Sequence, residues 1–518
     1  MKDLIESGKT CLGIELGSTR IKACLIDENC HPVASGSFEW ENRFENGYWT
    51  YSVEAIRNGV KECFSSLKKN VYDKLNAELT TTACIGISGM MHGYLAFDKN
   101  DNLLVPFRTW RNTTTQKAAA VLSEEFDFNI PQRWSIAHLY QAILNNEEHI
   151  DKISHITTVA GYIHYLLTGK WEVGVCEASG IFPVLGYDYN DEMLCKFEKL
   201  ISGYNLPWKI RDILPTIKPC SAKGTVLTEK GAAFLDVSGK LISGIPVCPP
   251  EGDAGTGMVA TNSVKPKTGN VSAGTSVFSM LVLERPMKNM YPEIDVVSTP
   301  EGSPVAMIHS NNGCSELDAY VRMFKEFSEL SGFETDISTV YEKLYTYAMS
   351  GDADCGKVIS YNFLAAEPVA GVSDARPMIF RYTDSNISLA NFIRSQLYSA
   401  VAVLKFGMNI LVEKESVCAE NFNAHGGLFK VRGVAQQVLA DALDTPVSVS
   451  ETAGEGGAWG MALLASYMVN NNNCSLSDWL ENDVFKNMCK KTVCPDEKSK
   501  KGFDEYFEMY KSGLEYFN

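Results

Sequence analysis

The sequence predicts an α/β protein built as two related domains that face one another across a cleft. Three observations carry that prediction. The first is length: 518 residues exceed what one hydrophobic core organises and suit two or three domains. The second is a repeated device. Cys11-Leu-Gly-Ile-Glu15-Leu-Gly17-Ser18-Thr19-Arg-Ile-Lys-Ala-Cys-Leu-Ile-Asp27 reads as strand, tight turn, strand, and Thr268-Gly-Asn-Val-Ser-Ala-Gly274-Thr275-Ser276-Val-Phe-Ser-Met-Leu-Val-Leu283 reads the same way past mid-chain. The third is Ile245-Pro-Val-Cys-Pro-Pro-Glu-Gly252-Asp253, a short strand ending in prolines that delivers Gly252-Asp253 onto a helix start. Ala254 to Ala260 are small enough there for close approach. An acid at a helix N-terminus is favoured by unpaired amides and the dipole, and a plain N-cap is the structural alternative for Asp253.

Bulk composition narrows the function. A hydrophobic content of 45% and a mean hydropathy near zero describe an ordinary globular chain. The net charge of −16 argues against nucleic acid, whose binding needs a basic face. It leaves a phosphorylated nucleotide open, because local amides and a metal offset global charge. Fifteen scattered cysteines without a C-x-x-C pair read as reduced thiols of a cytoplasmic enzyme. Cys489 and Cys494 lack further Cys or His partners nearby, so no zinc site is expected. Neither an apolar leader nor an 18-residue apolar run is present, so no membrane span is expected.

Taken in order, Glu15 puts a carboxylate at the end of the first strand, Gly17 frees the backbone, and Ser18 and Thr19 add hydroxyls. A third strand follows near 33–40. Residues 52–69 form an amphipathic helix with Ser52 as N-cap and Val53, Ile56, Val60, Phe64 and Leu67 on one face. Residues 83–89 are a buried strand running into Met90-Met91-His92-Gly93, and the carboxyl end of such a strand is where ligands sit in open α/β sheets. Trp110, Arg111 and Asn112 combine an aromatic face with fixed donors, which suits a sugar. Residues 130–240 alternate helical pieces with Pro- and Gly-bearing loops. The apolar pattern breaks at 261–267, which places the domains at 1–262 and 263–518.

In the second half, the Gly274-Thr275-Ser276 turn offers N–H and hydroxyl donors to an oxyanion. His309-Ser-Asn-Asn-Gly313 precedes a long helix using Leu317, Tyr320, Val321, Phe324 and Phe327. A strand at 358–364, a loop at 366–384 and a helix at 388–412 follow. Gly426-Gly427 lets a planar base or phosphate approach the backbone. A strand at 446–450 and a Gly-rich helix at 454–468 complete the pattern.

Together these segments resemble the FGGY carbohydrate kinases, xylulokinase-like branch, across nearly the whole chain. Gly13-Ile-Glu-Leu-Gly-Ser-Thr is similar to the family's first phosphate hairpin and Gly274-Thr275-Ser276 to its second. Ser88-Gly-Met-Met-His-Gly93 resembles the Ser-Gly-Gln-Met-His-Gly sugar motif, with Met90 in place of Gln. Glu15 stands where the family usually has Asp, and Ala366-Glu367-Pro368 where it has Gly-Glu-Arg. The resemblance implies two ribonuclease-H-like domains of the actin and sugar-kinase superfamily, and ATP-dependent phosphorylation of a ketose at a primary hydroxyl. It implies Asp253 as catalytic base and Met91, His92, Trp110, Arg111 and Asn112, with Asp253, around the sugar. It implies Gly17, Ser18, Thr19, Gly274, Thr275, Ser276, Gly313, Gly426 and Gly427 around ATP, and Glu15 toward Mg²⁺. A small-molecule sugar is then the partner, with a homodimer open and neither nucleic acid nor membrane involved. A polyol kinase of the same family, or a non-catalytic nucleotide- or sugar-binding protein on an actin-like scaffold, are the alternatives.

Overall fold

A computed structural model describes residues 1–450, 456–471 and 473–517. Contacts divide the chain into two compact units, otherwise than by a single cut. One comprises Met1–Val264, Val296–Pro304 and Glu455–Asn487, and the other Lys265–Asp295, Val305–Gly454 and Met488–Asn518.

The first unit is organised by a five-stranded sheet. Strands β1 (Cys11–Leu16), β2 (Arg20–Ile26) and β3 (Pro32–Glu39) form an antiparallel meander. The helix α1 (Val53–Leu75) packs on β3, starting from Ser52, whose hydroxyl accepts the Ala55 N–H at 3.1 Å. It ends at Asn76 in the left-handed region, as expected of a cap. It runs past the expected end at residue 69 because Val71, four residues after Leu67, returns to the buried face. Strand β4 (Cys84–Gly89) lies parallel to β1, and the two-residue β5 (Glu251–Gly252) parallel to β4.

Period-two alternation divides the two faces of this sheet. Leu12, Ile14 and Leu16 join Ile56, Phe64, Ile85 and Ile87 in an apolar core. Cys11, Gly13 and Glu15 point the other way, where the helix Gly456–Asn470 returns to lie across β1. That approach requires glycine: a Cβ on Gly13 would sit 2.2 Å from the Ala458 carbonyl oxygen and 2.4 Å from the Ala462 nitrogen. The expected helix start at 454 lies outside the described residues.

The helices α2 (Val159–Thr168) and α3 (Val175–Ser179) precede β5, and α4 (Asp253–Ala260) follows it directly. The run from Ala254 to Ala260 does permit close approach. A Cβ on Gly460 of the return helix would meet the Thr256 carbonyl oxygen at 2.0 Å.

The second unit repeats the same strand plan. Strands β6 (Thr268–Ala273) and β7 (Val277–Val282) form its hairpin, β8 (Asp295–Ser298) lies at the edge, and β9 (Pro304–Ser310) pairs with β7. Strand β10 (Asn421–Gly426) is parallel to β6, β11 (Val447–Ser450) is parallel to β10, and β12 (Lys490–Val493) closes the sheet. The order β11-β10-β6-β7-β9 matches β5-β4-β1-β2-β3 strand for strand, parallel and antiparallel alike. Helices α5 (Ser315–Leu330) and α6 (Leu389–Asn409) cover its core, with Ile393, Leu397, Val401 and Leu404 buried. The segment Leu389–Lys414 is long and apolar enough to cross a membrane, but 72% of its apolar window is buried as a core helix. Residues 366–384, expected as one loop, contain a strand Met378–Arg381 that pairs with Val358–Tyr361.

Candidate active site

In the first unit, three parallel strands end at one edge. Their register sets Glu15, Ser88 and Glu251 in one row and Leu16, Gly89 and Gly252 in the next. Asp253 follows immediately, half-buried, as the first residue of α4. It is not the N-cap: Gly252 holds that position, so the carboxylate is free for another task. The Met91 N–H donates to its Oδ1 at 3.2 Å. Beneath it, the Ser88 and Thr256 hydroxyls meet at 3.0 Å, tying β4 to α4.

Electrostatics make this edge unusual. Burial pushes the Asp253 carboxyl up to about 6, against the N–H groups of Met91, Ala254 and Asp253 itself. Burial, and then the charge of Asp253, push Glu15 up to about 7, while Lys22 across the β1–β2 pair and the Ala458 N–H pull it down. Gly457 leaves room for that carboxylate, since a Cβ there would lie 2.3 Å from Glu15 Oε1. Behind them, burial pushes Glu251 up to about 8 and holds Glu177 well above the carboxylate range, with Asp253 and Glu251 adding to the latter.

The candidate sugar residues separate into two groups. Met91 is 5% exposed and packs around Gly252, where a Cβ would come within 2.2 Å of its Cγ. His92 takes φ +69, uncommon for a side chain larger than glycine. Its Nδ1 lies 3.2 Å from the Gly180 carbonyl oxygen and its ring stacks on Trp134 at 5.9 Å. Arg111 and Asn112 are organised around Trp49. Arg111 lies 3.9 Å over that ring. Asn112 accepts the Trp49 N–H at 2.8 Å and donates to the Trp49 and Thr109 carbonyls, both at 2.9 Å, so its amide is committed to holding the loop. Trp110 remains 36% exposed. Met90 is buried in the apolar core, with Tyr51 Oη 4.0 Å from its sulfur.

The two hairpin turns are held from behind. At Gly17-Ser18-Thr19, Trp40 Nε1 donates to the Gly17 carbonyl at 2.7 Å and Tyr51 Oη to the Ser18 carbonyl. At Gly274-Thr275-Ser276, the N–H groups of Gly313 and Cys314 donate to the carbonyls of Thr275 and Gly274, both at 2.8 Å. Gly313 must be glycine, for a Cβ would stand 2.4 Å from Gly274 O. Gly426 pairs with Ala273, next to the turn, at φ +106, and Gly427 follows it into the solvent. The second unit thus gathers Gly274 to Ser276, Gly313, Gly426 and Gly427 at one sheet end. Glu367 is buried and accepts from Ser310 at 2.8 Å and Asn312 at 3.0 Å, bracing the loop that carries Gly313.

Family models decide what this pair of units is. The model of the FGGY carbohydrate kinases' N-terminal domain matches residues 10–253, and that of their C-terminal domain matches residues 269–469. The chain belongs to the FGGY family of carbohydrate kinases. It is therefore a phosphotransferase with the two-domain FGGY fold. A xylulose kinase from Haemophilus influenzae is 22% identical over 471 residues, 86% of this chain and 89% of that protein. A ligand-bound xylulose kinase from Lactobacillus acidophilus superposes with a TM-score of 0.77 at 17% identity, covering 98% of each chain. A glycerol kinase from Plasmodium falciparum, solved with ADP, gives 0.76 at 16% identity, again covering 98% of each chain.

Motif reading did not single out Glu177, Glu251 or Trp134 at this FGGY site. One signal was present: Glu177 is the lone charge in the run Val173-Gly-Val-Cys-Glu-Ala-Ser-Gly180, and an acid inside such a segment is a candidate for burial.

Proposed function

We propose that this FGGY kinase transfers the γ-phosphoryl group of ATP to a primary hydroxyl of a xylulose-like ketose. The observation that carries the reading is Asp253, half-buried at the carboxyl edge of three parallel strands with one oxygen held by Met91. The carboxylate would take the proton of the attacking hydroxyl, beside a Met91-His92 pair that suits a sugar better than a short polyol. The first unit then supplies base and sugar contacts, and the turns at Gly17–Thr19 and Gly274–Ser276, with Gly313, Gly426 and Gly427, supply nucleotide contacts.

Mg²⁺ is part of this reading. No cluster of three His, Cys, Asp or Glu side chains able to hold a metal occurs among the described residues. Glu15 nevertheless suits a cation, because burial and the charge of Asp253 disfavour its carboxylate and a positive charge relieves that. Glu15 would hold the ion through water or directly, and the bound ion would neutralise charge on the phosphates. Positioning and electrostatics dominate such a transfer, so Asp253 need supply only orientation and a late proton acceptor.

A panel of ketoses, aldoses and polyols with ATP, scored by ADP release, tests the proposal. A ketose preference supports it, and a preference for glycerol or no sugar-dependent release rejects it. The pH profile adds a second expectation. The base works as carboxylate, so kcat/KM should fall about tenfold per pH unit as pH drops below about 6. A profile flat from pH 7.5 to 4.5 contradicts the role of Asp253.

A further inference from the structure

Glu251 lies one strand-end away from the base and has no part in the proposed chemistry, yet its surroundings are closely built. It is fully buried. Its Oε2 accepts the Glu177 N–H at 3.0 Å, and the N–H groups of Val175 and Cys176 also point to the carboxyl, so it covers the first turn of α3. The carboxyl packs directly on Gly174, where a Cβ would lie 2.2 Å from Glu251 Oε1. The Gly174 N–H donates to Pro250 O at 2.7 Å, so the strand end grips this turn at two points.

The far end of α3 carries the consequence. Gly180 donates to Glu177 O at 3.1 Å, and its own carbonyl faces His92 Nδ1 at 3.2 Å. A Cβ on Gly180 would lie 2.8 Å from that nitrogen, so ring and turn are in direct contact. A carbonyl accepts and cannot donate, so Nδ1 carries the hydrogen. In the neutral ring Nε2 is then a bare acceptor, suited to a hydroxyl donor. Burial keeps the ring neutral, holding it well below the usual histidine range. With φ at +69, His92 depends on such outside support for its direction.

We propose that Glu251 is a positioning residue for sugar recognition: through α3 and the Gly180 carbonyl it fixes the direction and Nδ1–H tautomer of His92, presenting Nε2 to a substrate hydroxyl. This rests on the sugar-kinase reading above. Glu251→Ala should raise the sugar KM by on the order of tenfold while the ATP KM stays within about twofold. Glu251→Gln, which keeps shape and an acceptor, should restore the sugar KM to within about threefold of wild type. His92→Ala should reproduce the Glu251→Ala split. A folded Glu251→Ala protein with unchanged sugar KM, or with sugar and ATP KM raised alike, overturns the proposal. Nitrogen-15 spectra of the wild-type imidazoles, with His92→Gln identifying the resonance, test the tautomer whether or not Glu251→Ala folds. They need no substrate, so they remain decisive if the sugar panel fails. A neutral Nδ1–H form supports the proposal, and an Nε2–H or charged ring overturns it.

Discussion

Asp253→Ala is expected to lose about 10²- to 10⁴-fold in turnover, the range a general base contributes, or roughly 3–5 kcal/mol of barrier. ATP affinity should be retained, since Thr275, Gly426 and Gly427 belong to the other unit. Folding should be retained too, and the reason is specific. The side chain is not the N-cap, a position Gly252 holds. Its carboxyl is pushed up to about 6 by burial, so the folded state favours the protonated form. The stability tied to that proton is present below the unfolded value and is lost as pH rises through about 6. Near pH 8 the wild type carries a buried carboxylate that the variant lacks. The variant's thermal midpoint should therefore equal or exceed wild type at pH 8, with any advantage shrinking toward pH 4. A stable protein without turnover is the signature of a functional acid. A lowered midpoint with turnover within tenfold of wild type would instead mark Asp253 as structural.

Gly13→Ala is expected to have the largest effect on stability. The added methyl has no rotamer to escape into, and the atoms it meets, Ala458 O and Ala462 N, are backbone. Either the return helix lifts from β1 or the strand bends. Overpacking of this kind costs about 3 kcal/mol at the upper end of its usual range. At about 2–4 °C per kcal/mol for a large unit, the thermal midpoint should fall by roughly 6–12 °C. Gly274→Ala is the matched control for stability, because a Cβ there meets nothing within 4 Å. Its midpoint should stay within about 2 °C of wild type. Equal midpoints for the two variants would mean that the return helix does not pack on β1 as described.

Much of this architecture was legible because its signals are local. Gly17-Ser18-Thr19 and Gly274-Thr275-Ser276 announce turns by themselves, and Leu12, Ile14 and Leu16 announce one face of a strand. Ser52 announces a helix start, and its hydroxyl does accept from Ala55. What escaped depends on partners distant in sequence. The strand Met378–Arg381 is partly exposed on alternate residues, and only pairing with Val358–Tyr361 makes it a strand. Trp110, Arg111 and Asn112 have a composition suited to sugars, but sequence does not reveal that Trp49, some sixty residues earlier, occupies Arg111 and Asn112. The row Glu15, Ser88, Glu251 appears only once two parallel registers are known. A plain N-cap is the sequence's alternative for Asp253, and only the folded backbone shows that Gly252 holds that position and Asp253 is the first helical residue.

Product analysis tests the central claim most directly. The protein would be incubated with γ-labelled ATP, Mg²⁺ and each ketose, and the labelled product identified by phosphorus NMR and mass spectrometry. The account predicts one phosphomonoester on a terminal sugar carbon, formed only when the ketose is present and lost with Asp253→Ala. Label released as inorganic phosphate irrespective of sugar, or sugar phosphate formed equally well by Asp253→Ala, would contradict it.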